Sequence, residues 1–315
     1  MSNQYNFGSI VPIKATSSNG AEGVGMETEK YILKGMTPEN IDESLDEICQ
    51  LIQEYGVVIL PNFFTSDNIY LKWYKDLQKT LAFICENYSL EMEVQELGES
   101  LTEILKLQPE IGQLVSNLGT QSNKFASFNE LKYSGAIPKI AETFFGENSL
   151  VLTPQAGDTF HIFPPGENFH RYNLPIHQDY QYLMQSPSQL TFYLGISEYR
   201  ENVGGLKFWE KSHLNGIVPT GKNGHGSYEL KTDANELSQF KEVNRTWNSG
   251  DLGIFHSLLW HASIPNTSDS NTRVVQIFRL SDCNNEIAKS YNFQSTSYHR
   301  RGVDFPQIHS ELFSS

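Results

Sequence analysis

The sequence predicts an α+β chain in which an N-terminal helical layer covers a jelly-roll-like double-stranded β-helix. Two patterns predict it. Up to about residue 149, apolar residues recur at helical spacing. From Leu150 onward, short runs rich in β-branched and aromatic residues alternate with Gly/Pro turns. No internal repeat is evident. We therefore expect a loosely packed lead-in over 1–36 and one domain over 37–315, with a helical cover at 37–149, a strand core at 150–282 and a polar tail at 283–315.

The elements follow in order. Residues 1–30 are rich in Ser, Asn, Gly and Thr, a composition that packs poorly. Thr37 is a fair N-cap and Pro38 a fair first helical residue; Ile41, Leu45, Ile48 and Ile52 then mark one helix face, which Gly56 ends. Val57 to Leu60 reads as a buried strand stopped by Pro61. Thr65 to Asp67 caps a helix over 67–86, with Ile69, Trp73, Leu77 and Leu81 on one stripe. Leu90 to Leu118 continues helical with a break at Pro109, and shorter helices are expected at Phe125–Leu131 and Ile137–Phe144.

Thr153 to Phe163 is strand-like. Thr159, His161 and Phe163 alternate there with Asp158, Phe160 and Ile162, and one set faces the interior, making His161 a candidate pocket residue. Strands are expected over Ser188–Ser197, Leu206–Trp209, Leu252–His256, Leu258–His261 and Asn271–Leu280. Residues 214–246 form a polar insertion with few apolar anchors, read as a lid over the substrate mouth or a surface loop.

Composition narrows the partners. With 37 acids against 23 bases, net charge −14, the chain is unsuited to nucleic acid or anionic membrane, which reward basic patches. No apolar run is long enough to span a bilayer, and the N-terminus has neither a basic start nor an apolar core of a secretory signal. Three scattered Cys, at 49, 85 and 283, fit free thiols in a reducing compartment and a cytoplasmic protein.

The chemistry centres on His177-Gln178-Asp179. On a strand, positions i and i+2 share a face, so His177 and Asp179 would project together while Gln178 points away. Alone, such a pair is as easily a surface pair or a core histidine. His261 supplies the second imidazole of a 2-His-1-carboxylate set, which leaves coordination positions open on Fe(II). Arg273, in a strand-like run, offers a planar guanidinium that could hold the carboxylate of a 2-oxo acid. Arg279 is the competing anchor: it lies an even number of positions away and would share a face.

In this order these pieces resemble the phytanoyl-CoA dioxygenase-like family of Fe(II)/2-oxoglutarate-dependent oxygenases. The resemblance runs through Glu54 to Phe64, His177-x-Asp179, Val203 to His213, Ser249 to Leu252, Leu259 to Asn266 and Arg273, roughly residues 40–282. One departure stands out: where the family often has Pro-Gly before Ser-His, this chain has Glu210-Lys211. The resemblance implies a cupin-like jelly roll with His177, Asp179 and His261 on iron. It also implies Arg273 and Ser263 on 2-oxoglutarate, with oxygen as co-substrate. It implies decarboxylation to succinate and CO2 coupled to oxidation of a small-molecule metabolite, as in a biosynthetic pathway. Asp179 is the carboxylate that related halogenases lack, so hydroxylation is the default, with desaturation, epoxidation or ring formation open. Tyr180, Tyr182, Trp209 and His161 are candidate substrate contacts. The alternative is a non-oxidative cupin-like isomerase or sensor using the same ligands. His213 reads as structural, His256 carries no assigned role, His170 and His225 lie in loops, and Asn266 reads as a turn former.

Overall fold

A computed structural model describes residues 30–112, 118, 121–152, 158–165, 173–222, 228–290 and 309. The first described residues lie beside a strand: Tyr31 is buried, and Ile32 bridges Ile59. The first helix starts later than its capping residues suggest. The Asn40 side chain accepts the Thr37 N–H (2.7 Å) and donates to the Gly35 carbonyl (3.0 Å), closing a turn. A single 3-10 turn (Ile41–Ser44) then leads into α1 (Leu45–Tyr55). Gly56 ends it as expected, with φ 83° and its N–H on the Ile52 carbonyl at 2.8 Å. β1 (Val57–Leu60) is buried throughout.

The second helix, α2 (Asn68–Asn87), begins where the Asp67 carboxylate accepts the Tyr70 N–H at 2.7 Å. Trp73, Leu77 and Leu81 are enclosed, as the stripe predicts. The helix expected from Leu90 starts only at α3 (Leu97–Leu107), capped by the Glu96 side chain. Gly98 lets α3 lie against the backbone: a Cβ there would fall 2.5 Å from the Thr272 carbonyl oxygen. α4 (Ala126–Tyr133) and α5 (Ala136–Phe145) complete the helical layer.

Strands follow. They are β2 (Val151–Leu152), β3 (Thr159–Phe163), β4 (Gln189–Gly195), β5 (Gly205–Trp209), β6 (Thr220–Lys222) and β7 (Tyr228–Leu230). After α6 (Ala234–Leu237) come β8 (Glu242–Arg245), β9 (Leu252–His256), β10 (His261–Ile264), β11 (Arg273–Asp282) and the short α7 (Glu286–Ser290). The larger sheet runs β1-β9-β4-β11-β2, with β3 also paired to β11. The smaller sheet runs β10-β5-β8, and β6 and β7 form a ribbon. All these ladders are antiparallel.

The larger sheet is covered on both faces. Leu190, Phe192, Ile254 and Phe278 pack with Ile52, Trp73, Leu77 and Phe128 of the helices. Phe192 and Phe278 are directly opposed across β4 and β11 and stack at 5.1 Å, a cross-strand pair that contributes roughly 0.5–1.5 kcal/mol beyond its buried area. On the other face, Ile59, Phe163, Tyr193, Val275 and Ile277 meet Leu206, Phe208 and Val243 of the smaller sheet. Phe163 belongs to this inter-sheet cluster and Phe160 and Ile162 to the helix-facing one, so Thr159 and His161 face the inter-sheet space. Val275 and Ile277 put Arg273 and Arg279 on that same face.

The insertion at 214–246 is not the bare loop its polarity suggests. It carries the β6–β7 ribbon, α6, and β8, which completes the smaller sheet with Val243 opposite Phe208. No helix among the described residues is long and apolar enough to cross a membrane. The three cysteines are free and buried.

Candidate metal centre

His177 and His261 meet as a directly opposed antiparallel pair. Each N–H bonds to the other's carbonyl, at 2.9 and 3.1 Å, and the ring centroids lie 4.1 Å apart. His261 opens β10, whereas His177 lies outside any continuous strand. The strand expected through Asp179 does not form: Asp179 begins a 3-10 turn (Asp179–Gln181). That turn, rather than strand alternation, swings the carboxylate beside the two rings. Gln178 does point away, and its Nε2 donates to the Gly216 and Leu258 carbonyls, both at 2.8 Å, which locks the turn.

Asp179 Oδ1 lies 3.8 Å from His177 Nε2 and 3.7 Å from His261 Nε2. The three ligand atoms sit within 4.8 Å of one another, and all three residues are buried. Each imidazole turns its Nδ1 onto a carbonyl two residues back: Pro175 for His177 (2.7 Å) and Leu259 for His261 (2.9 Å). A carbonyl only accepts, so Nδ1 carries the hydrogen and Nε2 offers its lone pair. Burial, then the neighbouring His177, pulls the His261 pKa down to about 3, so this ring is neutral. Burial pushes the Asp179 carboxyl up, but the Arg279 guanidinium beside it, first among the opposing influences, holds it well below the usual carboxylate range. His261 Nε2 and the Asp179 carboxylate therefore face one another as lone-pair donors. Two imidazoles and a carboxylate in that arrangement fit a divalent transition-metal ion.

One guanidinium, Arg279, flanks this nest, and a second, Arg273, lies on the same face of β11. Arg279 grips Asp179 at two points, Nη2 to Oδ1 at 2.8 Å and Nε to Oδ2 at 3.3 Å, and Thr191 donates its hydroxyl to Oδ2 at 2.6 Å. Arg273 is 2% exposed and meets no acid among the described residues. Its Nη1 donates to the carbonyls of Val203, Gly205 and Ile264 at 3.0–3.2 Å, and its Cζ lies 3.9 Å from the centre of the Phe163 ring. Its Nε and Nη2 have no hydrogen-bond partner among the described residues. Burial lowers its pKa. Gly204 makes the close approach possible: it has φ 75°, and a Cβ there would sit 2.7 Å from Arg273 Nη1. Ser263 follows His261 on β10, and its hydroxyl accepts the Leu174 N–H at 3.2 Å.

The candidate substrate residues are dispersed. The Tyr182 ring stands edge-on to His177 at 5.2 Å. Tyr180 is enclosed, with its hydroxyl 3.0 Å from His309 Nε2. Trp209 packs with Leu230 and Trp260, apart from the inter-sheet cluster that holds its neighbour Phe208. His161 pairs with Val275, and burial, then Arg279 and Arg273, brings its pKa down to about 4. His170 and His225 lie outside the described residues. Sequence reasoning missed Thr191 as a partner of Asp179. Its one signal was a hydroxyl inside the otherwise apolar run Leu190 to Leu194.

No curated protein sequence matches the chain significantly. Among solved structures, the epimerase SnoN in complex with Fe3+, alpha ketoglutarate and nogalamycin RO aligns at TM-score 0.50 and 15% identity, covering 77% of this chain and 85% of that one. The carbocyclase SnoK, a non-heme alpha ketoglutarate dependent enzyme of nogalamycin biosynthesis, aligns at TM-score 0.49 and 16% identity over 85% of this chain and 96% of its own. The non-heme monooxygenase ThoJ aligns at 0.46 and 15% over 74% and 76%. The family profile of phytanoyl-CoA dioxygenase matches residues 114–275, just over half of the chain and all of the His-Asp-His triad. The expected cofactors, Fe(II) with 2-oxoglutarate and oxygen, agree with both that family and the triad. The chain belongs to the phytanoyl-CoA dioxygenase family.

Proposed function

We propose that this chain is an Fe(II)/2-oxoglutarate-dependent dioxygenase that hydroxylates a small-molecule metabolite. His177, Asp179 and His261 would hold the iron; Arg273, with Ser263 nearby, would hold the far carboxylate of 2-oxoglutarate. The observation that carries the reading is the buried Arg273 guanidinium, with two donors and no anion among the described residues. A buried cation in that state is costly, and a bidentate carboxylate would satisfy both donors. The metal and co-acid, when bound, supply oxygen activation coupled to decarboxylation, which yields succinate and CO2. The protein's part is positional. The Pro175 and Leu259 carbonyls fix the tautomer and tilt of both rings, and Arg279 and Thr191 fix the carboxylate.

Two facing antiparallel sheets with the triad between their strands support reading the core as a double-stranded β-helix. The presence of Asp179, where halide would otherwise need room, supports hydroxylation. The epimerase neighbour, bound to nogalamycin RO, supports a small-molecule substrate. We read the 214–246 insertion as a cover over the substrate mouth. Leu230 N–H bonds Ile176 (2.9 Å) and Gly216 accepts from Gln178, so the insertion is tied to both neighbours of His177.

The test is anaerobic titration of the Fe(II)-loaded protein with 2-oxoglutarate, followed by aerobic turnover. A visible charge-transfer band on adding the co-acid, and succinate formed in step with 2-oxoglutarate loss, are expected. Arg273→Gln should raise the 2-oxoglutarate concentration needed by at least tenfold while leaving Fe(II) bound. No Fe(II) binding and no succinate from the wild type would overturn the reading.

A further inference from the structure

We infer that Arg279 is the positioning residue of the metal centre: together with Thr191 it presents Asp179 to the metal through a single oxygen. The inference rests on the Fe(II) reading of the triad. A carboxylate oxygen has two lone-pair directions in its plane. On Oδ2 both are taken, by the Thr191 hydroxyl at 2.6 Å and Arg279 Nε at 3.3 Å. On Oδ1 one is taken, by Arg279 Nη2 at 2.8 Å. The remaining direction belongs to the oxygen that lies 3.8 and 3.7 Å from the two imidazole Nε2 atoms. Asp179 thus has room for one metal bond, and chelation through both oxygens would require the Thr191 and Arg279 Nε contacts to break.

The grip is built into the sheet. Arg279 and Thr191 are directly opposed on β11 and β4, so the two groups that hold Oδ2 come from one cross-strand pair. The Asp158 carboxylate stands near Arg279 and pairs with Lys132 Nζ at 2.6 and 2.7 Å, and that lysine side chain is wholly buried on α4. The consequence is a count of open positions. Were a six-coordinate ion bound, two imidazoles and a one-oxygen carboxylate would leave three places on it, enough for a chelating 2-oxo acid and oxygen together. A two-oxygen carboxylate would leave two, and one of those ligands would be excluded.

The experiment compares wild type with Arg279→Gln, Arg279→Lys and Thr191→Val, with Asp179→Ala and His261→Ala as binding-dead controls. Co(II) is the probe: its affinity is measured by calorimetry and its coordination by the visible ligand-field spectrum, with thermal melting alongside. We expect Arg279→Gln to weaken Co(II) binding by about 10–100-fold, the range for loss of a group that orients a ligand. We also expect its spectrum to change in shape and intensity as the carboxylate rotates. Arg279→Lys keeps the charge but not the fork, and should restore melting more than it restores the spectrum. Thr191→Val removes one Oδ2 partner without changing volume and should move the spectrum in the same direction with a smaller loss of affinity. If Arg279→Gln does not fold, Thr191→Val decides. Wild-type affinity and spectrum in both Arg279→Gln and Thr191→Val, with the two controls dead, overturn the inference and leave the metal reading standing. A wild type that binds no Co(II) sinks the metal reading and this inference with it.

Discussion

The two ends of β11 carry the same side chain on the same face and put it to opposite uses. Six residues of extended strand, about 20 Å, separate Arg273 from Arg279. At 279 the guanidinium is closed on a buried carboxylate, held at both oxygens. At 273 it rests on carbonyls and the Phe163 ring, with two donors idle among the described residues. A buried charge with its counter-charge in place is part of the protein. A buried charge without one is costly, and under the proposed function it is where the co-acid's carboxylate would supply the counter-charge.

That contrast predicts opposite outcomes for one substitution made at each end. Arg279→Met strips the partner from Asp179 and leaves a buried carboxylate held by Thr191 alone, which should destabilise the fold by about 3–5 kcal/mol. Arg273→Met removes a cation that has no acid beside it, so the co-acid-free protein should lose far less stability. It should lose instead the rise in melting temperature that 2-oxoglutarate is expected to give the wild type in the presence of Mn(II). Urea unfolding gives the first comparison and thermal melting with and without co-acid the second. Equal destabilisation at both ends, or a co-acid response that survives Arg273→Met, breaks the comparison.

The same strand shows what a sequence can disclose. His177, Asp179 and His261 were legible as a cluster because their residue types and order suffice, without knowing a register, and the same order made Arg273 a candidate clamp. Arg279 was visible only as a rival to Arg273, which spacing to His261 favoured as the co-acid anchor; parity puts both on one face, and neither cue shows that Arg279 meets Asp179. The answer lies in pairing: β11 sets Arg279 opposite Thr191, and Asp179 reaches both from a turn. That turn was itself hidden, because His-x-Asp fits a strand as well as a turn, and Gln178 settles it through carbonyls remote in sequence. β3 read as a strand, but which of its faces looks inward depended on the helices behind the sheet. β8 offered one apolar anchor, Val243, too short a signal to stand out from the polar insertion around it.

A second pair of imidazoles sharpens the difference between groups held for a ligand and groups that are only packed. On the helix side of β9, His256 lies 5.5 Å from His213 and 6.3 Å from Phe144. Burial, then His213, brings the His256 pKa down to about 3, and burial also lowers His213. The unfolded chain takes up a proton near pH 6.5, while folded His256 refuses one until about pH 3. Between those values the unfolded state binds more protons, so stability falls as pH falls, by roughly 1.4 kcal/mol per pH unit for this group. His161 and His261 slope the same way, so the difference between variants isolates His256. His256→Phe should flatten the urea midpoint between pH 6.5 and 5, and added Mn(II) should leave that difference unchanged. Parallel slopes in wild type and variant would show that His256 is not kept neutral by its packing.

The smallest effect is expected at Lys211, where strain sits without any ligand to account for it. This residue stands where the family often has glycine, and its φ is 66°, in the left-handed region that a side chain resists. Local contacts hold it there. Its N–H bonds the Tyr55 carbonyl at 2.9 Å, its Nζ lies 4.8 Å above the Tyr55 ring, and Glu54 is 3.4 Å away. Lys211→Gly relieves the strain but loses the ring contact, about 0.5–1 kcal/mol at an exposed site, and loosens the unfolded chain. The net change against wild type should therefore stay within about 1 kcal/mol. The informative comparison is with Lys211→Ala, which loses the same contacts and keeps the strain. At an ordinary position alanine is the more stable choice; here glycine should win by about 1 kcal/mol in urea unfolding. Alanine equal to or better than glycine would mean the turn tolerates a Cβ without penalty, and the family's glycine would need another cause.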